Sequence, residues 1–224
     1  MRNAQKLVVF CSSFFLTLGF LVIISNFFSY LIPKMSNLTM WTIYSFTFYF
    51  FIFTHGLLRK LFINKRLSGS KLFATGKVNK FTFREKSWLY LGPILIYFLP
   101  NFKSRSFSNI NMYLIIMFIL TIIILELLLL LSQKSILVYF TDQGIFINGL
   151  DLRFFVPKIY GSVLHNDSGF YKYSDFKNYY KLENQIDLYE NLDQGKLEII
   201  STKDELIRIQ GVLTKQKIKV KKFN

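Results

Sequence analysis

Cysteine, histidine and acidic residues are all scarce in this chain of 224 residues, and each scarcity removes a class of chemistry. The single cysteine, Cys11, lies inside an apolar run, so neither a disulfide framework nor a cysteine-ligated metal can be built. The two histidines, His55 and His165, stand in different regions, which excludes a His-Glu-x-x-His zinc site. There is no Gly-rich phosphate loop ending in Gly-Lys-Ser/Thr and no Gly-x-Ser-x-Gly elbow. An intramembrane protease would need paired acids or a Ser/His pair in its apolar segments, and these segments offer only Glu126. His165 beside Asp167 reads as an exposed turn. The sequence therefore points to a non-enzymatic protein with no cofactor and no metal.

Acids number 13 against 28 Lys and Arg, for a net charge of +15. The shortage is local. Residues 1–132 hold 14 basic residues and only Glu85 and Glu126, whereas 133–224 hold 14 basic and 11 acidic. With 52% apolar residues and a mean hydropathy of +0.33, the first part reads as a membrane domain, 1–132. The second, 133–224, reads as a nearly balanced globular domain.

About 20 helical residues cross a hydrocarbon core of roughly 30 Å. Segment 7–32 is long enough and carries no charge. Arg2 and Lys6 precede it as in a signal peptide, but its apolar core exceeds the roughly 7–15 residues of one and no small-x-small cleavage site follows. Segment 38–58, crowded with aromatics, and segment 110–131, whose one charge is Glu126, are two further spans. The fourth, 87–102, is short, at about 24 Å, and carries Gly92-Pro93 and Pro100. It must thin the bilayer, or dip and return.

The connection 59–86 carries nine basic residues against Glu85, and such loops stay in the cytoplasm. With four spans, the N-terminus and the C-terminal domain are cytoplasmic as well, in the cell membrane. A re-entrant 87–102 would move the C-terminal domain outside, and the charge counts favour four spans. In that connection Lys60, Lys65, Arg66, Lys71, Lys77, Lys80 and Arg84 interleave with Leu61, Phe62, Ile63, Leu67, Leu72, Phe73, Phe81 and Phe83. Such a surface suits anionic lipid, at about 1 kcal/mol per cation. Nucleic acid is not expected, because topology already demands the charge. The five lysines from Lys215 to Lys222 read as a solvated end that could also sit on the inner leaflet.

Glu126 lies five residues from the end of its span, about 7–8 Å deep. His55 and Arg59, near the same end of the second span, match that depth, so a pair with either is expected. Two roles stand open: a lock between helices, or an ion or proton pathway.

From Ser135 onward, short β-branched and aromatic runs alternate with turn pairs. Strands are expected at 136–140, 145–147, 152–156, 171–182, 185–189 and 196–200, with turns at Asp142-Gln143-Gly144 and Asn148-Gly149. Thr202 and Glu205 form a capping box, and Leu206, Ile209 and Leu213 give one buried helical stripe. The expected fold is thus a helical membrane region plus an α+β domain, a small β-sandwich or barrel closed by one helix.

Thr141 to Ile147, then Tyr173-Ser174-Asp175-Phe176, then Gln185 to Tyr189 and the capped helix resemble the bacterial pleckstrin-homology-like (PH-like) domains that follow membrane helices. The resemblance covers about 135–214, with Tyr173 where a tryptophan is usual and a longer insertion at 157–170. It implies a cytoplasmic domain that binds a protein or the membrane surface. Its most concrete version is an immunity or export accessory factor for membrane-active bacteriocins, with a membrane protein or peptide as partner. The alternative is a transport component using Glu126.

Overall fold

The computed structural model of the chain describes residues 3–28, 37–104, 112–153, 167–191 and 195–221. Four long helices come first: α1 (Asn3–Phe28), α2 (Asn37–Leu67), α3 (Phe83–Ser104) and α4 (Met112–Ser135). Three of them, α1, α2 and α4, are long and apolar enough to cross a membrane, over Gln5–Asn26, Thr39–Leu67 and Met112–Ser135. The expected span ends at 29–32 and 110–111 fall outside the described residues.

The third helix is longer than its apolar run. It covers 22 residues, about 33 Å, and continues through Gly92-Pro93. Its start is fixed four residues before Ser87. The Thr82 N–H and hydroxyl both donate to Glu85 Oε2, at 2.6 and 2.9 Å, and the Glu85 N–H donates back to the Thr82 carbonyl at 3.1 Å. Counting apolar residues alone leaves out the charged first turn.

The remainder is a mixed sheet with one closing helix. Strands β2 (Leu137–Thr141), β3 (Ile145–Asn148), β4 (Gly169–Tyr171), β5 (Phe176–Lys181), β6 (Gln185–Glu190) and β7 (Lys196–Ile200) precede α5 (Lys203–Lys215) and a last strand β8 (Lys219–Val220). To these the chain adds β1 (Leu72–Val78), from between α2 and α3. The order is β4-β3-β2-β1-β7-β6-β5-β8, antiparallel throughout except for the β5–β8 pair.

Placing β1 in the middle of the sheet changes the reading of the basic connection. Its alternate residues Ala74 and Val78, and Phe81 beyond it, are buried in the sheet core instead of covering the bilayer boundary. The sheet unit therefore draws on residues before 133. A Cβ on Gly76 would come within 2.5 Å of Ile199 Cγ2, so a bare backbone lets β1 cross β7 this closely. On the inner face Val138, Phe140, Ile145, Ile147, Ile186 and Leu188 meet Leu206, Ile209 and Leu213 of α5, all buried. Burying each such side chain is worth about 1.5–3 kcal/mol.

Two expected strands differ. The run 171–182 is broken by a 3-10 turn at Tyr173–Asp175, where Asp175 accepts from the Lys172 N–H at 2.8 Å; the aromatic-Ser-Asp segment is a corner. Of the run 152–156, Leu152 and Arg153 have no regular structure, and 154–156 lie outside the described residues. The C-terminal lysine segment includes β8, paired with β5.

Candidate functional site

At the junction of helices and sheet, five segments bring charged side chains to one place. Helix α1 contributes Lys6, α2 contributes Arg59, and the first turn of α3 contributes Glu85. The segment after β3 supplies Asp151 and Arg153, and the residues before β4 supply Asp167 and Ser168.

The Asp151–Arg153 pair is bidentate: Nε and Nη2 of Arg153 each donate to an Asp151 oxygen at 3.0 Å. Arg153 Nη1 donates to Glu85 Oε1 at 2.6 Å, and its guanidinium carbon stands 4.0 Å over the Phe81 ring. Arg59 donates from Nη2 to Asp167 and to the Ser168 carbonyl (2.9 Å), and from Nη1 to the Arg153 carbonyl (3.1 Å). The Ser168 hydroxyl donates to Asp151 Oδ2 at 2.7 Å, and Lys6 Nζ reaches Asp167 Oδ2 at 2.6 Å. Three cations thus face three carboxylates. Asp151 and Arg153 have no exposed surface, and Arg59, Glu85 and Asp167 are nearly as buried.

Gly56, one turn before Arg59, permits the approach. A Cβ there would lie 2.8 Å from the Asp151 carbonyl oxygen. Beyond Arg59, α2 continues over the outer face of β3 and β4, where Ile63 is buried, Asn148 Nδ2 donates to Asn64 Oδ1 at 2.5 Å, and Arg66 stacks 3.7 Å over Phe170.

Burial alone would raise the carboxyls of Asp151 and Asp167. Arg153 and Arg59 around the first, and Arg59 and Lys6 around the second, outweigh it and hold both below the usual carboxylate range. Burial likewise opposes the charge on Arg153, yet Asp151 and Glu85 raise its pKa above the ordinary value. Burial and then Asp167 push Tyr171 well above the usual phenol value. These groups are locked in one protonation state through the neutral range, which suits holding segments together and does not suit proton transfer. Among the described residues, no group of three or more His, Cys, Asp or Glu is arranged to hold a metal ion.

Glu126 is placed elsewhere. Its carboxylate takes Lys86 Nζ at 3.0 Å and a hydrogen bond from the Tyr90 hydroxyl, both from α3, so the expected pair with His55 or Arg59 gives way to a different one. Lys86 and Tyr90 lie one turn apart on a helix antiparallel to α4, whereas Arg59 turns toward 151–168. His55 is buried against Phe10 and Phe51. Deeper in the bundle, the Tyr97 hydroxyl lies 2.8 Å from both Ser45 Oγ and Thr121 Oγ1, and Tyr49 donates to the Thr121 carbonyl at 2.8 Å. These contacts join α2, α3 and α4.

The basic residues named for lipid contact do not share one level. Lys65 and Arg66 stand about 10 Å along α2 from Arg59. The backbone N–H of Lys71 bonds Asp142, exposed Lys77 lies on β1, and exposed Lys80 follows it. Lys60 lies on α2 beside Arg59, and the Arg84 side chain lies outside the described residues, as does His165.

Strand patterning passed over Asp151 and Arg153, at the edge and inside the expected 152–156 strand, and Asp167, expected in an exposed turn beside His165, is instead buried by its ion pairs with Arg59 and Lys6. Two signals were present. Glu85 is the lone acid in a connection with nine basic residues, and Thr82-x-x-Glu85 has capping-box spacing. No protein family, curated protein or solved structure matches this chain.

Proposed function

We propose that the chain is a four-span membrane protein that holds a PH-like β-domain in one fixed pose at the cytoplasmic face and acts by binding, not catalysis. The observation that carries this reading is the pairing of β1 with β2. These strands flank the α3–α4 hairpin in sequence and are hydrogen-bonded to each other, so both ends of the hairpin share one side of any membrane. Helix α4 has the length and composition of a span, and parity then makes α3 its return. The Lys6–Asp167 bond pairs α1 with α2 in the same way. The nine basic residues of 59–86 favour the cytoplasm for that side.

Several short antiparallel strands, β2 to β7, followed by the closing helix α5 are in keeping with the layout that the PH-like resemblance implies over 135–214. The buried ion cluster supports a rigid platform, since its charges are satisfied only in one docking of sheet on helices. The partner in this reading is a membrane protein, a peptide or anionic lipid, and protection from membrane-active bacteriocins, or their export, is its concrete role. For the alternative pathway through Glu126, the carboxylate already carries Lys86, which favours a helix lock.

In a Cys11→Ser background, Ser70→Cys and Lys172→Cys should both be shielded from an impermeant thiol reagent in intact cells and both react after lysis. Labelling of either from outside would overturn the orientation. Cells carrying the chain should survive a membrane-active cationic peptide better than cells without it; equal survival would remove the protective role.

A further inference from the structure

Ser45, Tyr97 and Thr121 meet in one buried hydroxyl layer, and Arg59, Phe83 and Ser135 stand equally far along α2, α3 and α4 from it, about 21 Å, at the foot of the sheet. We infer that the exposed side chains at this level, Leu61, Phe62 and Phe83 with Lys60 and Lys134, sit in the headgroup layer of the adjoining leaflet and bind anionic phospholipid there. The β-domain then rests on the membrane instead of standing clear of it. The inference deepens the lipid-binding part of the proposed function and rests on its reading of α3 as a span.

The hydrocarbon edge lies just below that level. Apart from the paired Glu126, α4 is apolar from Met112 to Leu131, about 28 Å, which nearly fills a core of roughly 30 Å. Exposed Leu131 ends this stretch about 15 Å above the hydroxyl layer. Phe83, Leu61 and Phe62 therefore stand about 6–10 Å past the edge, where the headgroup layer adds roughly 5–7 Å to each side. All three are open, at 77%, 53% and 47% of their surface. Their side chains also turn back toward the bilayer. The Phe83 ring stacks at 5.9 Å on Tyr90, two turns deeper in α3, and side chains on α2 lean toward its N-terminus, on the bilayer side.

Charge selects the lipid. At this level the helices present exposed Lys134 and part-exposed Lys60, whereas Glu85 is buried against Arg153. Asp151 and Asp167 are buried in the same cluster. A phosphate at the rim thus meets lysines and no helix carboxylate, and apolar groups flanked by cations suit an anionic leaflet.

The test uses the full chain with Cys11→Ser in mixed vesicles of phosphatidylglycerol and phosphatidylcholine. Nitroxides at Phe62→Cys and Phe83→Cys should be at least about threefold less accessible to a water-soluble nickel chelate than one at Ser68→Cys, at the far end of α2. A nitroxide at Leu95→Cys, deep in α3, should meet oxygen but not the chelate. If Phe83→Cys fails to fold, Leu61→Cys takes its place. A fluorophore at Phe83→Cys should be quenched at least about twofold more by acyl-brominated phosphatidylglycerol than by acyl-brominated phosphatidylcholine, and Lys60→Gln with Lys134→Gln should remove the difference. Phe62→Cys and Phe83→Cys as open to the chelate as Ser68→Cys, with Leu95→Cys shielded, would overturn the headgroup seat while leaving α3 as a span. Chelate access at Leu95→Cys would remove both. Equal quenching by the two lipids, or a difference that survives loss of both lysines, would overturn the anionic assignment. Complete disulfide pairing of two copies through Phe62→Cys or Phe83→Cys in native membranes would give the surface to a second copy of the chain instead.

Discussion

Truncating Arg59 leaves Asp167 and part of Asp151 buried beside fewer cations. Breaking a buried pair on one side costs about 3–5 kcal/mol, so Arg59→Met should sharply lower membrane abundance and melting temperature. Adding Asp167→Leu should recover part of that loss; a double variant no better than Arg59→Met would argue against direct coupling. The cluster also sets a pH dependence. The carboxyls of Asp151 and Asp167 are depressed in the folded chain below their ordinary 3.8, so their contribution is complete above that value and drains away as pH falls below it. Melting measured from pH 7 to pH 3 should therefore steepen below about pH 4, and less so in Asp167→Asn. At Glu126, Gln can still accept the Tyr90 hydrogen bond, so Glu126→Gln should keep abundance and any protective phenotype, whereas Glu126→Leu strands Lys86. Normal abundance with the phenotype lost in Glu126→Gln would move the ion pathway to first place. Glu126 was legible as a lone carboxylate in an apolar run. Its partner was not, because Lys86 precedes the apolar run 87–102 and by sequence belongs to the basic connection, although it stands in the first turns of α3. Asp151 and Arg153 were hidden for another reason: alternation tells which residues share a face, but only the docking of α2 makes that face dry.

Helix α5 follows the expected buried stripe, but only half of its expected capping box forms. Thr202 accepts the Glu205 N–H as the capping box requires. The Glu205 carboxylate instead accepts the Thr75 N–H of β1 at 3.0 Å, and the Ser201 hydroxyl donates to the Thr75 carbonyl at 3.1 Å. The start of α5 thereby satisfies backbone groups of β1 beyond its two-residue pairing with β7. At the other end Lys217 takes φ 60, with Ile218 N–H bonded to the Leu213 carbonyl at 3.0 Å and Lys217 N–H to that of Thr214 at 2.9 Å. This is a Schellman ending, in which glycine is preferred. A left-handed non-glycine residue costs about 1–2 kcal/mol, so Lys217→Gly should stabilise the domain by roughly 0.5–1 kcal/mol after the entropy of glycine is counted, read as a raised melting temperature. Strand β1 escaped the sequence reading because Lys77 and the basic residues around it fit a lipid-facing surface as well as a strand edge. Its small residues Ala74 and Gly76 were the discriminating signal, since a surface that grips a bilayer gains nothing from them.

Because β1 lies between β2 and β7, the domain is closed by a strand that the chain makes before the α3–α4 hairpin. Residues 133–224 alone lack that strand, so the isolated fragment should not unfold cooperatively, while joining residues 68–82 to it through a flexible linker should restore cooperative, mostly β structure by circular dichroism. Sequence could place β2, β3, β5, β6, β7 and the helix that closes them, since those are local patterns, but not the short edge strands β4 and β8. It could not place β1, whose partners stand more than fifty residues away across two helices. The most direct test of the arrangement uses Thr75 and Tyr139, which face each other across β1 and β2. Directly opposed Cα atoms in an antiparallel pair lie about 4.5–5.5 Å apart, within disulfide reach. In a Cys11→Ser background, Thr75→Cys with Tyr139→Cys is oxidised in native membranes, and the chain is then cut at a protease site introduced between α3 and α4. The account predicts two halves that stay joined until reduced. Halves that separate without reductant, with both cysteines free to react, would contradict it.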